Sequence, residues 1–336
     1  MRILFLGGTG VISSACSKAA IAAGHDVTVL NRGTTHIVPL PDGVEELRGD
    51  VRDADSMRAA VAGREFDVVV DWIAFVPEHI ETSLSVFGGV GQYVFISSAS
   101  AYEKPPSDWL VHEHTTPLSN PFWQYSRDKI ACEELLQSRS DVRWTIVRPS
   151  HTYGPSALSV AIGSWTHPYT AINRMREGKK ILVIGDGTSL WTLTHNSDFA
   201  AGFVPLLGND AAIGEDFHIT SDEALTWNEI TRTVGRAAGV EIDILHVPSD
   251  AFIAWNPEME GQLRGDKSNC AVFDNSKLRG VVPGFSAKVP FIKGVQDSID
   301  WFDADPSRRT VDTALDAEWD RIAAIYERAL AEVAKR

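Results

Sequence analysis

Cysteine is scarce and unpatterned in this chain: Cys16, Cys132 and Cys270 are the only three in 336 residues. An odd number without metal-ligand spacing excludes a disulfide framework and a cysteine-built metal site, so the three read as reduced packing residues. Basic residues are also in deficit, 31 Lys and Arg against 45 Asp and Glu, giving a net charge of −14. That balance argues against a nonspecific nucleic-acid binder, whose affinity comes from neutralising phosphates. It does not exclude a small local basic pocket. Long apolar runs are missing as well, and nothing approaches the roughly 20 residues that a membrane helix needs. The opening Met1-Arg2-Ile3-Leu4-Phe5-Leu6 is too short for a signal peptide and breaks at once into glycines, so it is expected to be a first strand. With no low-complexity tract or repeat, the expectation is a cytoplasmic globular protein without a membrane or nucleic-acid partner.

What is present is alternation. Short β-rich runs occur at Ile3–Leu6, Val27–Leu30, Glu45–Arg48, Val68–Trp72, Tyr93–Ser97 and Thr145–Arg148. Helical patterns lie between them, at about Val11–Ala23, Ala54–Val61, Ile80–Val86 and Gln124–Ser138. This order predicts an α/β fold, a doubly wound parallel sheet whose nearly all-apolar strands are covered on both faces. Gly24 is expected to end the first helix in a left-handed cap. After Pro149 the alternation fades, and Pro155, Pro168 and the Gly185-Asp186-Gly187 turn suggest an irregular lobe. A strand at Phe217–Thr220 is expected to return to the sheet. Thr226–Ala238 reads as a helix capped by Thr226, and Asp316–Ala334 as an amphipathic helix with Trp319, Ile322, Ile325, Tyr326 and Leu330 on one packed stripe.

The motifs begin with Gly7-Gly8-Thr9-Gly10-Val11-Ile12-Ser13, which follows a strand and opens a helix. Glycine there lets the backbone approach a pyrophosphate seated on the helix N-terminus, the arrangement of a dinucleotide site. Gly7, Thr9, Gly10, Val11 and Ile12 are the expected contacts, and Ser13 takes the third small position. Strand two ends in Asn31-Arg32-Gly33. Asn31 does not repel a phosphate as a carboxylate would, and Arg32 could clamp a 2′-phosphate, which favours NADP over NAD while leaving NAD possible. Asp50-Val51 is placed to meet the adenine edge, and Ile73-Ala74 supplies small apolar backbone along the cofactor. Tyr125 and Lys129 stand one helical turn apart and address the same space. A cation held near a phenol lowers its pKa toward neutrality, so that it can exchange a proton with a carbinol oxygen. His112-Glu113-His114 does not converge on a metal at either helical or strand spacing and reads as a solvated loop, so no metal is expected. Trp165, His167, Arg174, Trp255 and Asn256 could stack on or bind a sugar or base, or pack in the core.

Together these residues resemble the extended short-chain dehydrogenase/reductase family, of the NAD(P)-dependent nucleotide-sugar epimerase/dehydratase type. The markers are Gly7–Ser13, Asp50-Val51, Ser97-Ser98, Tyr125 with Lys129, Arg148-Pro149 leading to Tyr153-Gly154-Pro155, and His195 with Asp198 before an apolar helix. The resemblance spans nearly the whole chain. It implies a Rossmann domain over about 1–160 with a return segment at 190–220, a smaller C-terminal substrate-binding lobe from 161–189 and 221–336, and commonly a homodimer. It further implies Tyr125 as the proton-transfer residue, Lys129 on the nicotinamide ribose, Ser98 as the catalytic hydroxyl with Ser100 as a weaker candidate, and Pro149 and His151 near the nicotinamide and substrate.

Two departures from the family pattern bear on the reaction. Dehydratases of this type carry Asp-Glu directly after the catalytic hydroxyl, where this chain has Ala99 and Ser100. Neither serves as a general acid or base at neutral pH, which disfavours dehydration and decarboxylation. Trp191 stands where the family usually grips a substrate phosphate with Arg, and Arg264 could supply that contact from another loop. The expectation is an epimerase of a sugar or sugar nucleotide that oxidises a hydroxyl transiently and re-reduces it. The alternatives are an NADPH-dependent carbonyl reductase or alcohol dehydrogenase using Ser98, Tyr125 and Lys129, and a non-catalytic NADP-sensing or RNA-binding relative of the kind found in chloroplasts.

Overall fold

The computed structural model describes residues 1–34 and 38–335. In the first half, strands β1 (Arg2–Leu6), β2 (Asp26–Asn31), β3 (Glu45–Arg48), β4 (Val68–Asp71), β5 (Gln92–Ile96) and β6 (Trp144–Pro149) alternate with helices α1 (Val11–Ala22), α2 (Ala54–Ala60), α3 (Pro77–Phe87) and α4 (Gln124–Gln137). After two further helices, α5 (Tyr169–Arg176) and α6 (Asn196–Phe203), the segment Glu215–Ile219 pairs parallel to β6, as the return strand was expected to do. Among the described residues the central sheet has seven strands, and every pairing in it is parallel.

Strand periodicity builds the two cores. Ile3 and Phe5 point to one face, with Val27, Val29, Phe199 and Phe203. Leu4 and Leu6 point to the other, with Ile80, Leu84 and Leu136. Strand order reverses at β1, which has β2 on one side and β4 on the other, so a crevice opens beyond their C-terminal ends. Gly24 lies just past α1 with φ +82, the left-handed conformation that a side chain resists.

The C-terminal half is more regular than its sequence suggests. Strands β7 (His151–Tyr153), β8 (Lys180–Ile184) and β9 (Leu190–His195) precede the return strand, which is β10, and β11 (Ala224–Thr226) and β12 (Asp243–Val247) follow it. They form two small sheets, ordered β11-β9-β7 and β12-β8. Their signal is faint because β8 and β9 are buried along nearly their whole length, which erases the inside–outside alternation. Helix α7 (Trp227–Ala237) starts in a capping box in which Glu229 N–H donates to the Thr226 hydroxyl at 3.1 Å and Thr226 N–H to Glu229 at 2.8 Å. The last helix, Thr313–Ala334, buries Trp319 and Ile322, but Ile325 is 42% and Leu330 55% exposed. Its packing ends at Tyr326, which is partly buried against the lobe core, and this corrects the continuous stripe.

One buried ion pair ties α4 to the sheet. The Arg148 guanidinium donates to Glu133 through Nε at 2.9 Å and Nη2 at 2.5 Å, with both side chains essentially inaccessible to solvent. Its Nη1 reaches Asp216 at 2.5 Å and the Tyr102 hydroxyl at 3.0 Å, and the Ser97 hydroxyl donates to Glu133 as well. His112-Glu113-His114 is a turn with His114 exposed, as expected of a solvated loop, but Glu113 points into this network. Glu113 is buried and accepts from His218 N–H at 3.1 Å. Burial pushes its carboxyl up to about 7 and the His218 imidazole down to about 4. Removing Glu133 takes from Arg148 its fully buried counter-charge and leaves it the less buried Asp216. Glu133→Gln is therefore expected to cost about 3–5 kcal/mol in denaturant unfolding, and the double change Glu133→Leu with Arg148→Met clearly less. Equal losses for single and double variants would show that the pair does not act as a unit.

Candidate active site

Two cavities meet at Tyr125. The first, about 560 Å³, lies at the crevice and is lined by the glycine turn, the end of β2, Val51, Trp72, Ile73, Phe75, Tyr125, Lys129 and Pro149. The second, about 260 Å³, continues from Tyr125 and Pro149 toward Ser98, Ser100, His151 and Trp191.

The glycines of the first cavity are there for space. Gly7 has φ +77, and a Cβ on it would sit 2.9 Å from Ile73 Cγ2. A Cβ on Gly8 would sit 2.8 Å from both γ-carbons of Val29. The Ser13 hydroxyl accepts from Gly10 N–H at 3.0 Å, so the hydroxymethyl at the third small position is used rather than tolerated. Asn196, from α6, donates to the Val11 carbonyl at 2.9 Å and holds the start of α1 in place. The buried indole N–H of Trp72 has no partner among the described residues, and Trp72 borders the same cleft. A cradle of small residues at a helix start, bordered by an unmet donor, fits a dinucleotide.

At the end of β2, Asn31 is already engaged: its Oδ1 accepts from Gly33 N–H at 2.7 Å and its Nδ2 donates to Glu46 at 2.9 Å. Arg48 pairs with Glu46 at 2.9 Å. Arg32 lines the cleft with an exposed side chain. Two expected contacts stand behind the lining instead of in it. Asp50 accepts from Arg52 N–H at 2.9 Å and turns the chain after β3, leaving Val51 to face the cleft. Ala74 is buried, and its carbonyl accepts from Lys129.

Helix α4 carries Tyr125 and Lys129 on one face as the spacing predicted, but their electrostatics differ from expectation. The Lys129 ammonium donates to the carbonyls of Ala74 at 2.6 Å and Ile96 at 2.8 Å and lies 5.8 Å from the Tyr125 ring centroid. Burial lowers it to about 8. The Tyr125 phenol is raised, not lowered: burial dominates, a hydrogen bond with Ser98 opposes it, and Asp266 adds to it. The cation is spent on backbone carbonyls and does not reach the phenol. Ser98 also shares a 2.9 Å hydrogen bond with Ser100, which accepts from Ser126 at 2.8 Å, so Ser100 supports the catalytic hydroxyl from behind.

In the second cavity His151 meets Trp191 edge-on at 6.2 Å, and burial, then the nearby Lys267 charge, push its imidazole down to about 3. It is neutral at physiological pH. Arg264 does not enter this cavity: it is exposed and paired with Asp250 at 2.9 Å and Glu260 at 2.8 Å. The cause is a single π-helical turn, Leu263–Lys267, closed by Ser268 N–H on the Leu263 carbonyl at 2.9 Å. The widened turn sends Arg264 outward, while Asp266 and Lys267 line the cavity. Trp191 lines the cavity and donates its indole N–H to the carbonyls of Lys267 at 3.2 Å and Asn269 at 2.9 Å.

Sequence reasoning missed Phe75 on the first cavity and Lys104, Trp123, Asp266, Lys267 and Phe273 on the second. Asp266 and Lys267 adjoin the Arg264 that was singled out, whereas Lys104 carries no local signal. Of the remaining candidates, Trp165 borders the second cavity, but Arg174 is buried on Asp316 at 2.7 Å and Trp255 donates to Glu318 at 3.0 Å, both structural contacts. Among the described residues no group of three or more His, Cys, Asp or Glu could hold a metal ion, and no helix is long and apolar enough to cross a membrane.

Comparison with known proteins agrees with this geometry. The model of the NAD dependent epimerase/dehydratase family matches residues 3–220. The chain is 30% identical over 272 residues to the chloroplast stem-loop binding protein of 41 kDa b of Arabidopsis thaliana, a match covering 76% of this chain and 66% of that protein, just under two thirds of its length. It is 28% identical to 2′-dehydrokanamycin reductase of Streptomyces kanamyceticus, over 86% of this chain and 81% of that one. Among solved structures, UDP-glucose 4-epimerase of Bifidobacterium longum in complex with NAD+ and UDP superposes with a TM-score of 0.71 at 21% identity, covering 92% of this chain and 100% of the other. The chain therefore belongs to the NAD-dependent epimerase/dehydratase family, within the extended short-chain dehydrogenases/reductases, and is an NAD(P)-dependent enzyme of that family.

Proposed function

We propose that this enzyme is an epimerase of a sugar or sugar nucleotide, with Tyr125 taking the proton from a hydroxyl as it becomes a ketone and returning it on re-reduction. The observation that carries the reading is the position of Tyr125, which lines both cavities and stands with Ser98 on the wall of the second. A substrate carbinol in the second cavity is thereby in reach of a proton donor and acceptor, beside a cleft that fits a dinucleotide. Gly7, Thr9, Gly10, Val11 and Ile12 would hold the pyrophosphate, Asn31, Arg32 and Val51 the adenosine, and Ile73, Lys129, Pro149 and His151 the nicotinamide half. When bound, the nicotinamide supplies the hydride acceptor and donor.

NADP is favoured over NAD: Arg32 is available for a 2′-phosphate, and the neighbouring Glu46 carboxylate is paired with Arg48. The proposal includes residues 1–160 with the return segment as the cofactor unit, the remainder as the substrate lobe, and a cytoplasmic homodimer acting on a small molecule. The charge of −14 speaks against nucleic acid as a partner.

A second reading, an NADPH-dependent carbonyl reductase, is favoured by the size of the second cavity. At about 260 Å³, walled by Trp123, Trp165, Trp191 and Phe273, it falls below the roughly 300–1,000 Å³ of ordinary ligand sites and leaves a ketone little room to turn over.

Protein purified without added nucleotide and then denatured separates the two readings. Near-stoichiometric release of NAD(H) or NADP(H), identified by mass and absorbance, is expected of an epimerase; an empty protein that binds NADPH reversibly would select the reductase. Tyr125→Phe should retain the cofactor yet lose turnover by about 10²–10⁴-fold, since only the proton path is removed. Near-normal turnover would overturn the assignment. Burial pushes the Lys129 ammonium down to about 8, so nicotinamide affinity should fall as pH rises through that value and the ammonium is lost. Lys129→Met should bind weakly with no such step, and a step surviving in the variant would assign it to another group.

A further inference from the structure

The second cavity contains charge that the proposed chemistry does not use. Lys104 and Lys267 line it with relative exposures of only 4% and 5%. The Lys104 ammonium has no hydrogen bond or salt bridge among the described residues; only its backbone N–H is bonded, to the Ser119 carbonyl. Lys267 lies 4.0 Å from Asp266, the one carboxylate among the described residues of the cavity wall, and faces the rings of Trp165 at 5.3 Å and Trp191 at 5.7 Å. With His151 neutral, the walls hold two cations against one anion. Burying an ammonium without a counter-charge is expensive, and a fold sustains it where something supplies that charge.

The surroundings hold these groups in place. The π-helical turn that turns Lys267 inward is fixed by three side chains. Asn120 donates to the Gly265 carbonyl at 2.7 Å, and the indoles of Trp191 and Trp227 donate to the Lys267 carbonyl at 3.2 and 3.0 Å. Asn120 also donates to the Ser100 carbonyl at 2.8 Å, joining the turn to the Ser98 loop. The aromatic walls lower the local dielectric and strengthen any charge pairing inside.

Resting on the reading above, we propose that the substrate carries a small oxyanion substituent, a carboxylate or a phosphate monoester, seated between Lys104 and Lys267 while its reacting hydroxyl meets Ser98 and Tyr125. The cavity of about 260 Å³ suits an acidic monosaccharide rather than a nucleotide sugar. Burial lowers both lysines and raises Asp266, shifts that an incoming anion would reverse for the lysines. Asp266 opposes the anion and limits its affinity, so that product can leave.

The test is calorimetric titration of nicotinamide-loaded protein with glucuronate, glucose 6-phosphate and glucose. At least one acidic probe is expected to bind tenfold or more tightly than glucose, and which one does so distinguishes a carboxylate from a phosphate. Lys104→Gln and Lys267→Gln should each weaken that probe about tenfold and leave glucose unchanged. Asp266→Asn should tighten it severalfold, an opposite sign that loss of folding cannot produce. Equal affinities for all three probes, no binding of an acidic probe at millimolar concentration, or variants that weaken glucose equally would overturn the proposal. Nicotinamide binding is followed by fluorescence in the same samples. Its absence would defeat the underlying reading, while intact nicotinamide binding without an acidic preference would defeat this inference alone.

Discussion

The buried contact between Arg148 and Glu133 sets the position of everything at the site. Tyr125, Lys129 and Glu133 follow one another at four-residue spacing on α4, so one helix face carries the proton-transfer candidate, the cofactor cation and the anchor. Arg148 is the penultimate residue of β6, directly before Pro149, which lines both cavities. A pair of apolar side chains could stabilise this joint as well as the ions do. It could not fix the rotation of α4 through directional bonds from the Arg148 guanidinium and the Ser97 hydroxyl onto one carboxylate. Lys129 adds two bonds of its own to carbonyls after β4 and at the end of β5, so α4 is held to the sheet at successive turns.

The first half of the chain was legible because its strands other than β3 are short and largely apolar, and because β1 and β3 lead into helices with their own start signals. Gly7–Ser13 and Asp53 before α2 are such signals; Asp53 accepts from the N–H groups of Asp55 and Ser56. The second half hid its strands for a physical reason: Leu190–His195 is polar at Thr192, Thr194 and His195, yet all three are buried. They are polar yet turned inward, so a pattern built on polar-outside cannot register them.

Site residues divide along the same line. Ser98, Tyr125, Lys129, His151 and Trp191 belong to motifs with fixed spacing, and the fold brings all of them to the two cavities. Arg264 carried the right charge in the right stretch, but a single π-helical turn exchanges it for Lys267. That substitution depends on one hydrogen bond register and has no counterpart in composition or periodicity. Lys104 sits in a loop that becomes part of a wall only when Leu263–Lys267 arrives from far along the chain, so tertiary structure alone identifies it.

The electrostatics of Tyr125 bear on the direction of chemistry. A phenol raised by burial and eased only by Ser98 holds its proton at neutral pH, which suits donation to a carbonyl oxygen. Epimerisation asks more of it, since the same group must first accept a proton from a hydroxyl. Acceptance requires positive charge closer to the phenol than Lys129 stands, because that ammonium is committed to the carbonyls of Ala74 and Ile96. The other cations on the substrate side are Lys104 and Lys267, and Asp266 stands among them with the opposite influence on the phenol. An anion bound to the two lysines would add further negative charge to that side and deepen the preference for a protonated Tyr125. Occupation of the lysine pair therefore favours the reducing half of the cycle, and the oxidising half of the proposed epimerisation would draw on the positive charge that an oxidised nicotinamide would bring beside Tyr125.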